Sequence, residues 1–235
     1  MIRVKICGTC GAADRDAAVA AGADAIGVVT EFPDPVPWNL DRDTAAKLVD
    51  GVPPFVTSVA VTTGDPADVA DLAATIRPDV IQMHGEKPPD VVAGVVDRLG
   101  EQGVQTIKAV TVDPAGDLDR QRERVAAVVG AGVDGVVIDT AVPDRRGGGS
   151  GQALPWDRAR RLTADLDLPV VLAGGLTPEN VADAVAAVDP DGVDVISGVE
   201  RERCEKDPDR MAAFVDTARR AGREHRATRG PASRE

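Results

Sequence analysis

The chain is 235 residues long, 43% apolar yet only 2% aromatic, and carries a formal net charge of −12. An acidic balance of that size excludes sequence-independent nucleic-acid binding, which needs clustered Lys and Arg to neutralise phosphates. No apolar run approaches the roughly 18–20 residues that span a bilayer, and no charged region followed by an apolar stretch opens the chain, so the expectation is a cytoplasmic protein with no membrane partner.

With so few aromatics the core must be built from Val, Ala, Leu and Ile, which suffices for one α/β domain of this length. The acidic residues are mostly Asp, the basic ones mostly Arg, and Lys is confined to Lys5, Lys47, Lys87, Lys108 and Lys206. This pattern suits a salt-adapted protein, because strong self-repulsion is tolerable where ions screen it.

Short apolar runs alternate with amphipathic segments along the chain, the signature of repeated β-α units around a parallel sheet. Strands are predicted near Val4 to Cys7, Ala25 to Val29, Phe55 to Val61, Val80 to Met83, Thr106 to Val110, Val136 to Asp139, Val170 to Ala173 and Val193 to Ile196. Among the intervening helices are Asp41 to Asp50, Pro66 to Ile76 and Pro178 to Val188, the last opened by a Thr177 N-cap with proline at the first helical position, a device that Asp65-Pro66 repeats. Eight strands with helices between them and nothing left for a second domain predict an α/β fold, a single-domain (β/α)8 TIM barrel over residues 1–222, with a frayed tail over 223–235.

In such barrels the reactive groups lie at the carboxyl ends of the strands, and side chains alternate between the interior and the helix layer. Parity assigns Lys5 and Cys7 to the mouth after the first strand, Gln82 and His84 after the fourth, Lys108 on the fifth and Asp139 at the end of the sixth. Taken singly, each has a simpler reading: Lys5 and Lys108 neutralised by Asp139, and Cys7 an inert core thiol. Taken as a set they indicate function, because lysines inside a barrel carry a desolvation cost that branched apolar side chains avoid.

Three glycine-bearing loops add a phosphate signal: Gly148-Gly149-Ser150-Gly151 after the sixth strand, Gly174-Gly175 after the seventh and Ser197-Gly198 after the eighth. Glycines let backbone N–H groups approach an anion, and the last two loops are the recurrent phosphate site of this fold. The Cys7-Gly8-Thr9-Cys10 spacing superficially matches redox or zinc sites, but only Cys204, His84 and His225 remain as ligands, with no second paired motif. No metal is expected.

The sequence resembles the phosphoribosylanthranilate isomerase family across nearly its whole length. Val4-Lys5-Ile6-Cys7-Gly8, Ile81-Gln82-Met83-His84-Gly85, Ile107-Lys108-Ala109 and Ile138-Asp139-Thr140 with Gly148-Gly149-Ser150-Gly151 are similar to its successive motifs. So are Ala173-Gly174-Gly175-Leu176-Thr177-Pro178-Glu179-Asn180-Val181 and Val195-Ile196-Ser197-Gly198-Val199-Glu200. Each is weak alone, but six in register are specific. The resemblance implies a cofactor-free Amadori rearrangement of N-(5-phosphoribosyl)anthranilate in tryptophan biosynthesis. Cys7 would then be general base, its thiolate favoured by Lys5, and Asp139 general acid, its proton retained by burial.

It also implies a small phosphoribosyl substrate held by Lys5, Gln82, His84 and Lys108, with its phosphate on Gly149, Ser150, Gly151, Gly174, Gly175, Ser197 and Gly198. The chain would be a monomer or homodimer. This sequence departs from the family where a basic residue follows the second strand, since Val36-Pro37-Trp38-Asn39 occupies that stretch. Arg145 or Arg146 is expected to bind the anthranilate carboxylate instead, with Trp38 against the aromatic ring. Two alternatives stand beside this reading. One is a histidine-pathway phosphoribosyl isomerase of the same fold, which typically uses two aspartates. The other is a non-catalytic phosphate-ligand-binding barrel.

Overall fold

The computed structural model describes residues 1–33, 36–113, 115–139 and 156–229. In chain order the elements are β1 (Arg3–Ile6), α1 (Ala12–Ala20), β2 (Ala25–Thr30), β3 (Asn39–Leu40), α2 (Arg42–Asp50), β4 (Thr57–Thr62), α3 (Pro66–Ile76), β5 (Val80–Met83), α4 (Pro89–Gly100) and β6 (Gln105–Thr111). They continue with α5 (Leu118–Gly130), β7 (Gly135–Asp139), α6 (Trp156–Thr163), β8 (Val170–Ala173), α7 (Val181–Val188), β9 (Gly192–Val195), a single 3-10 turn (Ser197–Val199), the short hairpin β10 (Glu200–Glu202) and β11 (Glu205–Lys206), and α8 (Pro208–Arg229). Each of the eight predicted strands has its counterpart, in β1, β2, β4, β5, β6, β7, β8 and β9. They hydrogen-bond in the order β1-β9-β8-β7-β6-β5-β4-β2, and the β1–β2 pairing closes the ring, with β3 added beside β2.

Alternation along the strands sorts the apolar residues into two layers, as the period of two demands. Val4, Ile6, Ile26, Ala60, Met83, Val136, Ile138, Leu172 and Val193 face the helices and form the larger core with Leu72, Leu99, Met211 and Phe214. Cys7, Val29, Val59, Val61 and Val80 fill one part of the barrel interior, and Ala109, Val137 and Ala173 another.

Part of the aspartate excess closes the lower rim of the barrel. Asp24, Asp79, Asp134 and Asp191, each just ahead of a strand, accept a backbone N–H from the strand before it. The donors are Val4 (2.9 Å), Ser58 (2.7 Å), Thr106 (2.7 Å) and Val170 (2.9 Å). Four of the eight seams thus use one device, satisfying N–H groups at strand starts that no neighbouring strand reaches.

Three boundaries differ from expectation. Phe55 is wholly exposed at φ +71, a left-handed conformation that no strand admits, so β4 begins at Thr57. Helix α7 starts at Val181, because the Asn180 side chain accepts from Thr177 N (2.8 Å) and donates to Gly175 O (3.0 Å), winding 177–180 into a turn. The Thr177 hydroxyl still accepts from Glu179 N at 3.3 Å, as an N-cap does. Finally, α8 runs past residue 222 to Arg229, its last turns approached by Asp189, whose carboxylate lies 3.3 Å from His225 Nε2.

Candidate active site

The mouth of the barrel is built outward from the Lys5–Asp194 pair. The two residues are register partners on β1 and β9 and both point inward, with Lys5 Nζ 2.7 Å from Asp194 Oδ2 and both side chains buried. Burial alone lowers the Lys5 pKa, but Asp194 and the Cys7 thiol outweigh it and hold the ammonium above the ordinary lysine range. Asp194 escaped the sequence reading, although the parity rule applied to Val193-Asp194-Val195 places an acid on the inner phase of the last strand. Lys5 is therefore neutralised by Asp194, and not by Asp139.

Cys7 follows directly after β1, fully buried, its backbone N–H donating to Val195 O at 2.9 Å. The thiol lies over Gly27 of β2, where any Cβ would come within 2.5 Å of Sγ, so glycine is what leaves room for it. Burial pushes the Cys7 thiol up, and Lys5 opposes this while Asp194 adds to it. The expected thiolate-favouring influence of Lys5 is present but does not win, because its charge is shared with Asp194 and desolvation dominates.

Asp139 ends β7 on the inner phase, in register with Thr111 and Ala173. Its side chain is 21% exposed, a more open setting than the buried one expected for an acid that must keep its proton. His84, directly after β5, brings Nε2 to 3.8 Å from Asp139 Oδ2, while its Nδ1 accepts from Gly85 N at 2.9 Å. With Nδ1 acting as acceptor, the neutral ring carries its hydrogen on Nε2, the nitrogen facing Asp139. Phe32 tilts against the same imidazole, with ring centroids 5.7 Å apart. Gln82 points inward between Val61 and Ile107, buried, and its Oε1 has no hydrogen-bond partner among the described residues. An orphaned buried acceptor costs about 1–3 kcal/mol unless a ligand satisfies it.

Lys108 does not point into the mouth. Its register partners Met83 and Val136 belong to the helix-facing core, while Ile107 and Ala109 take the inner positions on β6. The parity assignment is off by one residue, because the phase of β6 is fixed by its pairing with β5 and β7 and not by the strand's own sequence. The buried ammonium donates to Gly85 O (2.7 Å) and Ala109 O (2.6 Å), bracing the loop that carries His84. Burial lowers the Lys108 pKa from 10.5 to about 8, with Glu86 opposing and Arg124 and Lys87 reinforcing the shift.

The folded state holds the Lys108 proton less tightly than the unfolded chain, so protonated Lys108 costs stability at pH 7, and the cost disappears as pH rises from about 8 towards 10.5. The difference in unfolding free energy between wild type and Lys108→Met, followed by denaturant titration, should move in favour of wild type by up to about 3 kcal/mol across that window. A pH-independent difference would remove the buried charge from this account.

At the opposite side of the mouth Trp38 packs into the inner cluster that contains Cys7. Its indole N–H donates to Glu200 Oε1 at 2.5 Å, and the same oxygen receives buried Lys206 Nζ at 3.1 Å, which also donates to Ile196 O at 2.9 Å. Glu200 and Lys206 thus hold Trp38 in place, an arrangement spread over 169 residues of chain that sequence spacing did not reveal.

The loops after β8 and β9 are brought into direct contact. Gly174 and Gly175 turn the chain at φ +95 and +63, Ser197 opens the 3-10 turn, and a Cβ on Gly198 would lie 1.8 Å from Leu176 O. Arg210 of α8 clamps both loops, donating to Gly198 O (3.1 and 3.0 Å) and to the Glu179 carboxylate (3.1 Å twice). Arg145, Arg146, Gly149, Ser150 and Gly151 lie outside the described residues. Among the described residues no cluster of His, Cys, Asp or Glu is arranged to hold a metal ion, and no helix is long and apolar enough to cross a membrane.

A closed barrel whose strand ends gather a thiol, a carboxylate, an imidazole and an amide oxygen with no partner among the described residues, beside two interlocked glycine loops, defines a (β/α)8-barrel enzyme. Comparison with known proteins narrows the class. The family model described as N-(5'phosphoribosyl)anthranilate (PRA) isomerase matches residues 4–217. The N-(5'-phosphoribosyl)anthranilate isomerase of Natronomonas pharaonis is 43% identical over 93% of this chain and 98% of its own, and that of Haloferax volcanii 44% identical over 94% and 95%. Among solved structures, phosphoribosyl anthranilate isomerase from Thermotoga maritima superposes with a TM-score of 0.79 at 31% identity, covering 93% of this chain and 99% of that one. Another, solved in complex with reduced 1-(o-carboxyphenylamino)-1-deoxyribulose 5-phosphate, gives 0.73 at 29% identity over 93% and 99%. The chain belongs to the phosphoribosylanthranilate isomerase family.

Proposed function

We propose that Cys7 is the general base and Asp139 the general acid with which this chain, an isomerase of tryptophan biosynthesis, converts N-(5-phosphoribosyl)anthranilate to 1-(o-carboxyphenylamino)-1-deoxyribulose 5-phosphate. The supporting observation is that both groups stand on the inner surface at strand ends, Cys7 over Gly27 and Asp139 against His84. Asp139 protonates the furanose ring oxygen, the C1'–O bond breaks, and the nitrogen lone pair forms an iminium. Cys7 then removes the C2' proton, the C–H electrons neutralise the iminium to an enolamine, and tautomerisation gives the ketose. The net change is a proton moved within one molecule, so no cofactor is required. Loss of substrate fluorescence on mixing with the purified chain measures this directly, and an enzyme that binds product yet never turns over would refute the reading.

Within it, Gln82 offers a sugar hydroxyl its Oε1, which has no partner among the described residues, and His84 keeps Asp139 oriented, while Lys5 acts through Cys7. Lys108 supports the His84 loop rather than touching substrate. Gly174, Gly175, Ser197 and Gly198 take the phosphate, together with Gly149, Ser150 and Gly151. Trp38 stacks on the anthranilate ring, and Arg145 or Arg146 binds its carboxylate. Replacing both arginines by alanine should raise KM at least about tenfold, the loss of one charge-assisted hydrogen bond, and an unchanged KM would dismiss them.

We further place the chain in the cytoplasm as a monomer or homodimer of a salt-adapted kind. Screening of its net charge of −12 should raise the thermal midpoint from dilute buffer to multimolar KCl; a flat response in a calorimetric series would end that proposal.

A further inference from the structure

The Cys-x-x-Cys spacing at the end of β1 does not bring its own two thiols together. Cys7 faces the barrel interior, while Cys10 turns to the β10–β11 hairpin, where its thiol interacts with that of Cys204. One carboxylate pins the two segments: Asp14 accepts from Cys10 N at 3.4 Å and from Lys206 N at 3.2 Å. Each sulfur also donates to a backbone oxygen, Cys10 Sγ to Gly8 O at 3.6 Å and Cys204 Sγ to Pro37 O at 2.8 Å. Both thiols are free and half-buried, open to a small reagent, whereas Cys7 is buried. Cys204 also sits at φ +60, a left-handed conformation in which a side chain is strained and glycine is favoured. The hairpin therefore holds a thiol, at a conformational cost, beside a second thiol from the loop that follows the base.

We propose that Cys10 and Cys204 form a reversible disulfide that fastens the β10–β11 hairpin to the β1–α1 loop and leaves Cys7 as a thiol. The oxidant is a low-molecular-weight disulfide, RSSR. The thiolate of one cysteine attacks it, forming a protein–SR bond and expelling RS⁻. The second cysteine's thiolate attacks the protein sulfur of that bond and expels another RS⁻. Two protons pass from the cysteines to the two departing thiolates, so RSSR is reduced to two RSH as the protein loses two electrons. Burial and the neighbouring Cys204 both push the Cys10 thiol up, so the closure accelerates as pH rises. A bond between residues 10 and 204 encircles most of the chain and restricts the unfolded state strongly.

The full chain is incubated with oxidised glutathione near pH 8.5, about the ordinary thiol pKa, then alkylated in denaturant, digested and mapped by mass. The expected map shows a Cys10–Cys204 cross-link two hydrogens lighter than the reduced pair, with Cys7 alkylated. The thermal midpoint should rise by roughly 5–10 °C and fall back on reduction. Cys204→Gly, which relieves the backbone strain and folds, should show neither the link nor the rise, and Cys10→Ser should match it. A Cys7–Cys10 link, a bond between two chains, or free alkylation of both Cys10 and Cys204 after oxidation overturns the proposal, whatever the outcome of the turnover assay.

Discussion

Cys7→Ala and Asp139→Asn should each lower kcat by roughly 10²–10⁴-fold, the range contributed by a positioned general acid or base, while KM changes little. Neither substitution should unfold the barrel. Alanine fits wherever a buried thiol fitted beside Gly27, and Asn preserves the shape of Asp139 next to His84. Because burial holds the Cys7 thiol above its ordinary value, only a small fraction is thiolate at neutral pH, and kcat/KM should climb about tenfold per pH unit on its basic approach. That limb must vanish in Cys7→Ala. Stopped-flow fluorescence across a pH series would settle the assignment, and near-wild-type turnover by either variant would remove that residue from the chemistry.

The second large effect is expected at Gly198. Adding one methyl there sets Cβ 1.8 Å from Leu176 O, a backbone atom that cannot rotate aside. The loops after β8 and β9 must separate, breaking the Arg210 clamp that joins Gly198 O to Glu179. Overpacking costs typically 1–3 kcal/mol and this clash lies at or beyond the upper end, so Gly198→Ala should lose about 3 kcal/mol of stability. If these loops hold the substrate phosphate as proposed, its contacts are then misplaced, and KM should rise at least about tenfold per 1.4 kcal/mol of binding lost. Arg210→Ala offers a gentler control that loosens the same loops without the clash. Calorimetry and KM for both variants test the cradle, and a Gly198→Ala enzyme with wild-type KM would place the phosphate elsewhere.

Legibility followed range. The eight strands were readable because a fully buried parallel strand needs a short apolar run, a local property that needs no partner to define it. Lys5, Cys7, Gln82 and Asp139 were likewise readable as inward groups, since parity within a strand is set by the backbone itself. Lys108 shows where that reasoning breaks. A shift of one residue in where the parity count starts reverses its face, and only pairing with β5 and β7 fixes the count. The start of α7 moved for a similar reason, because an Asn180 side chain competing for local backbone groups is indistinguishable in sequence from a helical one.

An acidic, aromatic-poor eightfold β-α repeat is written in the sequence alone, with a thiol and a carboxylic acid on the inner phase of their strands and glycine-bearing loops after the later strands. Tertiary structure alone decided the partnerships: Asp194 for Lys5, Gly27 beneath Cys7, Glu200 and Lys206 behind Trp38, Cys204 beside Cys10. These contacts join residues far apart in the chain, and closing the barrel creates them all at once. No local pattern can encode a neighbour that exists only after β1 meets β2 and β9.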